Sequence, residues 1–142
     1  MSNLKKYGLK PTSVLHLLDG NDDPMFADDA DGKPDLNRPM KVRLFGPGTK
    51  QYAAAQAAQS NRNMERFKKK GKSDMTAEER VAETAKFLAR CTDGFENIEV
   101  DGLSGKDLFM SVYQDIELCF IPAQIEKFIS DTANFTPTSD PT

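Results

Sequence analysis

"VRLFGPGTKQYAAAQAAQSN", residues 42–61, runs a short apolar segment into Gly46-Pro47-Gly48 and leaves it as a run rich in Ala and Gln. With the two residues before it, the segment 40–45 (MKVRLF) sets Met40, Val42 and Leu44 on one side and Lys41 and Arg43 on the other. That period of two is the signature of a strand with one wet face. The corner ends it, because proline cannot donate to a ladder and the glycines permit a sharp turn. Thr49 is placed to cap a helix expected over about 50–70, whose cationic end suits a helix C-terminus and whose stop is Gly71. Along this helix Tyr52, Ala55, Gln59 and either Asn63 or Met64 mark only a thin apolar stripe. A helix so thinly striped is poorly buried by its own domain and leaves surface for another polypeptide. The candidate partner-binding residues are Tyr52, Ala55, Gln59, Arg62, Arg66 and Lys69.

Upstream, residues 13–18 (SVLHLL) suit a second short strand, and residues 1–12 read as a flexible N-terminus. Between the two strands lies "DGNDDPMFADDADGKPDLNRP", 21 residues with seven Asp, three Pro and two Gly. Such residues favour turns and cannot bury a core, so the pair is expected to form a hairpin with a long acidic loop. A loop of this length inside a compact domain is commonly functional or disordered.

Downstream, Thr76 with Glu79 fits a capping box, and Val81, Ala85, Leu88 and either Cys91 or Phe87 repeat at helical spacing through about Arg90. A break at Gly94 precedes a short apolar turn around Phe95, Ile98 and Val100. Ser104 with Asp107 opens a third helix that turns Leu108, Phe109, Val112 and Tyr113 inward. Pro122 suits the first turn of a last helix whose core stripe is Ile125, Phe128 and Ile129. Phe135 follows it, either packing back or presented to a neighbour, and residues 136–142 read as a disordered tail. The fold expected is α+β and mostly helical: an N-terminal long-looped β-hairpin followed by about four α-helices. One domain spans 13–135, with the hairpin over 13–46 and the helical part over 49–135.

Composition narrows the classes. The 142 residues suffice for one modest core. Hydrophobic residues make up 38%, below the roughly 45–50% of globular averages counted with Gly, in keeping with tails and solvated loops. A net charge of −3 points neither to nor away from nucleic acid. No run approaches the ~18 apolar residues of a membrane span, and the N-terminus lacks the apolar stretch of a secretory signal. Cys91 and Cys119 sit in apolar contexts without a CxxC spacing and read as reduced core thiols of a cytoplasmic protein.

The chemical motifs are thin. A P-loop needs GxxxxGK[ST], but the glycine preceding Gly48 is only two residues back, so Gly46-Pro47-Gly48 reads as a strand-to-helix corner. Asp19, Asn21 and Asp23 open like a calcium-binding loop, yet Pro24 stands where its glycine belongs and Ala30 where its bidentate glutamate belongs. A solvated loop is the better reading, with a lure for a basic partner as the minor one. The cations Arg62, Arg66, Lys68, Lys69, Lys70 and Lys72 are interleaved by Phe67 alone and read as a solvated helix end, or a contact for protein, before nucleic acid. The single histidine, His16, stands in a strand-like run, where a packed residue is commoner than a base. Neither an enzyme nor a bound cofactor or metal is expected.

Taken in order, "VRLFGPGTKQYAAAQAAQSNR", a basic stretch, "MTAEERVAETAKFLARCTDGFENIEVDG" and "QIEKFISDTANF" resemble a group of proteins from tailed bacteriophages and prophages. That group shares a strand ending in a Gly-Pro turn, a helix starting near a Tyr with many Ala, Gln and Arg, and a closing helix that ends on ANF. Its members are commonly assigned as tail assembly chaperones or small tail-module proteins. The resemblance covers residues 13–135, and its motifs are structural rather than catalytic. Phe95 stands where Trp is frequent in the group, and the loop 19–39 is unusually long and acidic. The resemblance implies a chaperone that binds the tape measure protein, a very long helical chain with exposed apolar stripes, and keeps it soluble until tube subunits polymerise around it. It also implies self-association, a possible frameshifted form that recruits tail tube protein, and residence in the host cytoplasm rather than in the finished virion. No binding residue is carried over. The alternatives are a structural virion component, such as a tail tube or head–tail joining subunit, and a small nucleic-acid-binding regulator using residues 62–72. Too few strands are expected for a tube subunit that closes rings through β-sheet.

Overall fold

The strand that ends at the Gly46-Pro47-Gly48 corner is the centre of the fold. In the computed structural model, which describes residues 3–72 and 74–137, five strands and four α-helices follow one another along the chain. The strands are β1 (Thr12–His16), β2 (Phe26–Asp28), β3 (Pro34–Pro39), β4 (Lys41–Phe45) and β5 (Thr92–Glu96). The helices are α1 (Lys50–Lys70), α2 (Ala77–Arg90), α3 (Gly105–Tyr113) and α4 (Phe120–Ser130). β4 lies between β1 and β5 in an antiparallel three-stranded sheet, with Val42 opposite Leu15 on one side and Phe95 on the other. The alternation holds: Val42 and Leu44 are fully buried while Arg43 is exposed. The protein is an α+β, mostly helical fold with its hairpin ahead of its helices.

α2 is the hub of the helical layer and packs on α1, α3 and α4. Its Ala85 and Leu88 join Leu44, Val112, Ile125 and Ile129 in one core. The capping box at Thr76 and Glu79 forms in both directions, so α2 starts where its sequence says. α1 runs its full expected length, about 31 Å at ~1.5 Å per residue. Thr49 Oγ1 accepts from the Tyr52 N–H at its start, and Gly71 closes it at φ 71°.

Three local expectations are corrected. The acidic loop is not shapeless: β2 and β3 pair inside it as a second hairpin. Its aspartates build the turns, Asp19 Oδ1 accepting from the N–H groups of Asn21 and Asp23, and Asp29 Oδ1 from those of Asp31 and Lys33. The segment after Cys91 is a strand, β5, although Asp93 and Gly94 are poor strand formers. Pairing with β4 decides it, with a bulge between Arg43 and Leu44. Cys119 is exposed at the start of α4; only Cys91 is a core thiol, and burial pushes it up to about 12. α3 opens directly after Ser104 as expected, although the serine side chain makes no cap hydrogen bond.

The termini are tied to the corner. Residues 3–7 form an exposed 3-10 helix, and the chain is pinned before β1 starts: the Lys10 N–H donates to Phe135 O at 2.7 Å and the Gly46 N–H to Pro11 O at 2.9 Å. Lys10 and Pro11 are thus hydrogen-bonded to the rest of the fold. Phe135, in a 3-10 helix over Thr132–Phe135, packs back rather than outward and is fully buried, edge-on to Phe128 at 5.7 Å. Of the tail expected to be disordered, 138–142 lie outside the described residues.

Candidate partner-binding surface

Gly46 answers what the corner is for. A Cβ built there would lie 2.4 Å from the Phe135 ring, so the strand can leave the sheet over that ring only as glycine. The Thr49 hydroxyl donates to Gly46 O at 2.7 Å and accepts from the first turn of α1, which joins the turn and the helix in one hydrogen-bonded unit. The groups around the corner are aromatic carbon and paired backbone, which is what a packing joint needs.

The helix that leaves this corner divides into two faces. Tyr52, Ala55, Gln59, Arg62 and Arg66 recur at intervals of three and four and so share one face, which meets α2. Tyr52 stands edge-on to Phe87 at 5.7 Å, and Ala55 is fully buried. Arg62 Nε donates to both oxygens of Glu83 at 2.9 Å, and Arg66 Nη2 reaches Glu83 Oε2 at 3.2 Å. Lys70 Nζ donates to Glu79 Oε1 at 2.8 Å.

Glu83 is a carboxylate only 4% exposed on α2. Burial alone would raise its carboxyl; the hydrogen bonds and charge of Arg62, then those of Arg66, outweigh this and hold it below the usual carboxylate range. Glu79, gripped by Lys70 and the Thr76 N–H, is lowered to about 2. This cluster is hard to read from sequence, because its members come from two helices about 20 residues apart; a charge at position 83, two residues before the core residue Ala85, is the one available hint.

Four of the six candidate partner residues therefore serve the molecule's own interior: Tyr52 and Ala55 by packing, Arg62 and Arg66 by ion pairing. Gln59 is half-buried on the same face, and Lys69 alone is exposed, with no ion pair among the described residues. The thin stripe read in the sequence was the inward face. What α1 leaves uncovered is the opposite one, where Ala53, Ala57, Ser60, Met64 and Phe67 are all exposed, Met64 by 62% and Phe67 by 56%.

Elsewhere, a shallow cleft of about 240 Å³ between α2 and the start of α4 is lined by Val81, Ile116, Cys119 and Ala123. His16 Nε2 lies 2.8 Å from Met25 O, its ring edge-on to Phe26, so it is a packed residue of the hairpin base. Among the described residues no group of three or more His, Cys, Asp or Glu side chains is placed to hold a metal ion, and no helix is long and apolar enough to cross a membrane. No protein-family model, curated protein or solved structure matches the chain.

Proposed function

We propose that this protein is a non-enzymatic assembly chaperone of a bacteriophage tail, which binds the tape measure protein and itself during tail morphogenesis. The observation that carries this reading is the outer face of α1. A 21-residue helix that buries a single residue, Ala55, holds Met64 and Phe67 in water over three turns with small side chains before them. A face of small residues followed by Met and Phe suits the shallow packing of another helix, and Met adapts to varied apolar partners. Repeated weak contacts along a long helical client give avidity without a deep pocket. The family resemblance of residues 13–135 supplies the client's identity as a tape measure protein and the site of action as the host cytoplasm.

The regulator reading loses its main support, since Arg62, Arg66 and Lys70 are engaged with Glu79 and Glu83. The deciding experiment is co-expression with a phage tape measure protein. The tape measure protein is expected to move into the soluble fraction with the wild-type chain, and less so with Met64→Ser/Phe67→Ser. Equal insolubility with and without this chain would overturn the proposal, and its presence in purified virions would favour a structural tail component instead.

A further inference from the structure

We propose that copies of this chain associate head to tail, the acidic β2–β3 hairpin of one copy lying along the exposed C-terminal half of α1 in the next. The two surfaces are opposite in charge, and much of that charge has no ion-pair partner among the described residues. Residues 19–35 carry seven Asp and a single Lys, and none of these aspartates enters an ion pair among the described residues. Residues 66–72 carry five cations and no acid. Arg66 and Lys70 turn to α2, leaving Lys69 and Lys72 without an ion pair among the described residues and Lys68 with one long, exposed contact to Glu65 at 3.8 Å.

Each surface also carries apolar area that its own fold does not cover. Leu36 on β3 is 74% exposed, and Met64 and Phe67 are exposed on α1 beside Lys68, on the face the proposed function offers to the client, so a neighbouring copy and the client compete for it. The hairpin buries only Ala27 of the residues in its two strands, so its outer part contributes little to the core it leaves. An arm of this kind, negative with one leucine, matches a helix end that is positive with a methionine and a phenylalanine. Because arm and receiver are different patches, the contact is heterologous and propagates, giving a ring if the rotation closes and a chain if it does not.

This inference deepens the self-association half of the proposed function, and its test needs no client. Sedimentation velocity on the pure full-length chain should show assemblies that dissociate as salt rises from about 0.05 M to about 0.5 M, which shortens the screening length from about 14 Å to about 4 Å. Asp28→Lys/Asp31→Lys, which spare the turn-building Asp29, and Lys68→Glu/Lys69→Glu should each sediment as monomers with unchanged circular dichroism. Their equimolar mixture should associate again, because the reversed hairpin of one then faces the reversed helix of the other. Leu36→Ser should weaken assembly at every salt concentration. A wild-type chain that is monomeric at low salt, or reversal variants that assemble as the wild type does, would overturn the proposal, as would a mixture that stays monomeric. A wild-type chain that is monomeric at low salt yet solubilises the tape measure protein would sink this inference and leave the chaperone reading standing.

Discussion

At the scale of single residues, two positions decide more than their neighbours. Gly46 is defined by space rather than by backbone angle: any side chain meets the Phe135 ring. Gly46→Ala should cost roughly 1–3 kcal/mol by overpacking and Phe135→Ala roughly 3–5 by leaving a cavity. In a urea-denaturation double-mutant cycle the two should couple, Gly46→Ala costing much less once the ring is gone. Additive losses would show that the ring is not what excludes the methyl. Glu83 is the second position. Replacing it with Gln leaves Arg62 and Arg66 facing a neutral group, which should cost roughly 1–3 kcal/mol near neutral pH, tempered because Arg62 keeps a quarter of its side chain in water. The pH signature has a definite sign. The folded carboxyl lies below its unfolded value of about 4.3, so the stability it supplies is complete above that value and is lost as pH falls through the folded one. The wild type should therefore lose stability between about pH 5 and 3 more steeply than Glu83→Gln. Parallel acid limbs in chemical-denaturation series would contradict this.

At the scale of elements, helices were legible and three strands, β2, β3 and β5, were not. α1 and α2 carry their own punctuation: Thr49 and Gly71 for one, the Thr76–Glu79 box for the other. These signals act within a few residues, so a sequence contains them whole. β5 has no such punctuation, and Thr92-Asp93-Gly94 becomes a strand through pairing with β4 and through Thr92. The Thr92 hydroxyl donates to Leu88 O and therefore accepts from the Tyr113 hydroxyl, both at 2.7 Å. The faces of α1 mark the same boundary. The stripe through Tyr52 and Ala55 could be read, but not that α2 already covers it. Tyr52→Ala should lower stability by about 1–2 kcal/mol through loss of the Phe87 contact, whereas Met64→Ala should stay within ~0.5. Equal losses in thermal unfolding would mean that the two faces have been assigned wrongly.

At the scale of the whole molecule, the fold is a core of sheet and helices from which one acidic hairpin and one helix face stand clear. Replacing residues 28–35 with Asn-Gly should leave the helical circular dichroism intact and change stability by less than about 1 kcal/mol, because that stretch holds no buried residue and a shorter loop is cheaper to close. The same deletion should abolish self-association in sedimentation velocity; a loss of fold would show that the arm belongs to the core. The sequence by itself determined the strand that ends at Gly46, the start and stop of α1 and α2, the class of the fold and the hairpin that begins it. Each of these follows from periodicity, capping or turn chemistry acting over at most a few turns of chain. Only the tertiary structure decided that the glycine corner exists to clear Phe135, 89 positions further on, that the acidic loop folds into a hairpin, and that Arg62 and Arg66 close on Glu83. Those outcomes rest on contacts between segments far apart in sequence. The steric and charge complementarity behind them exists only once the core has brought its elements together.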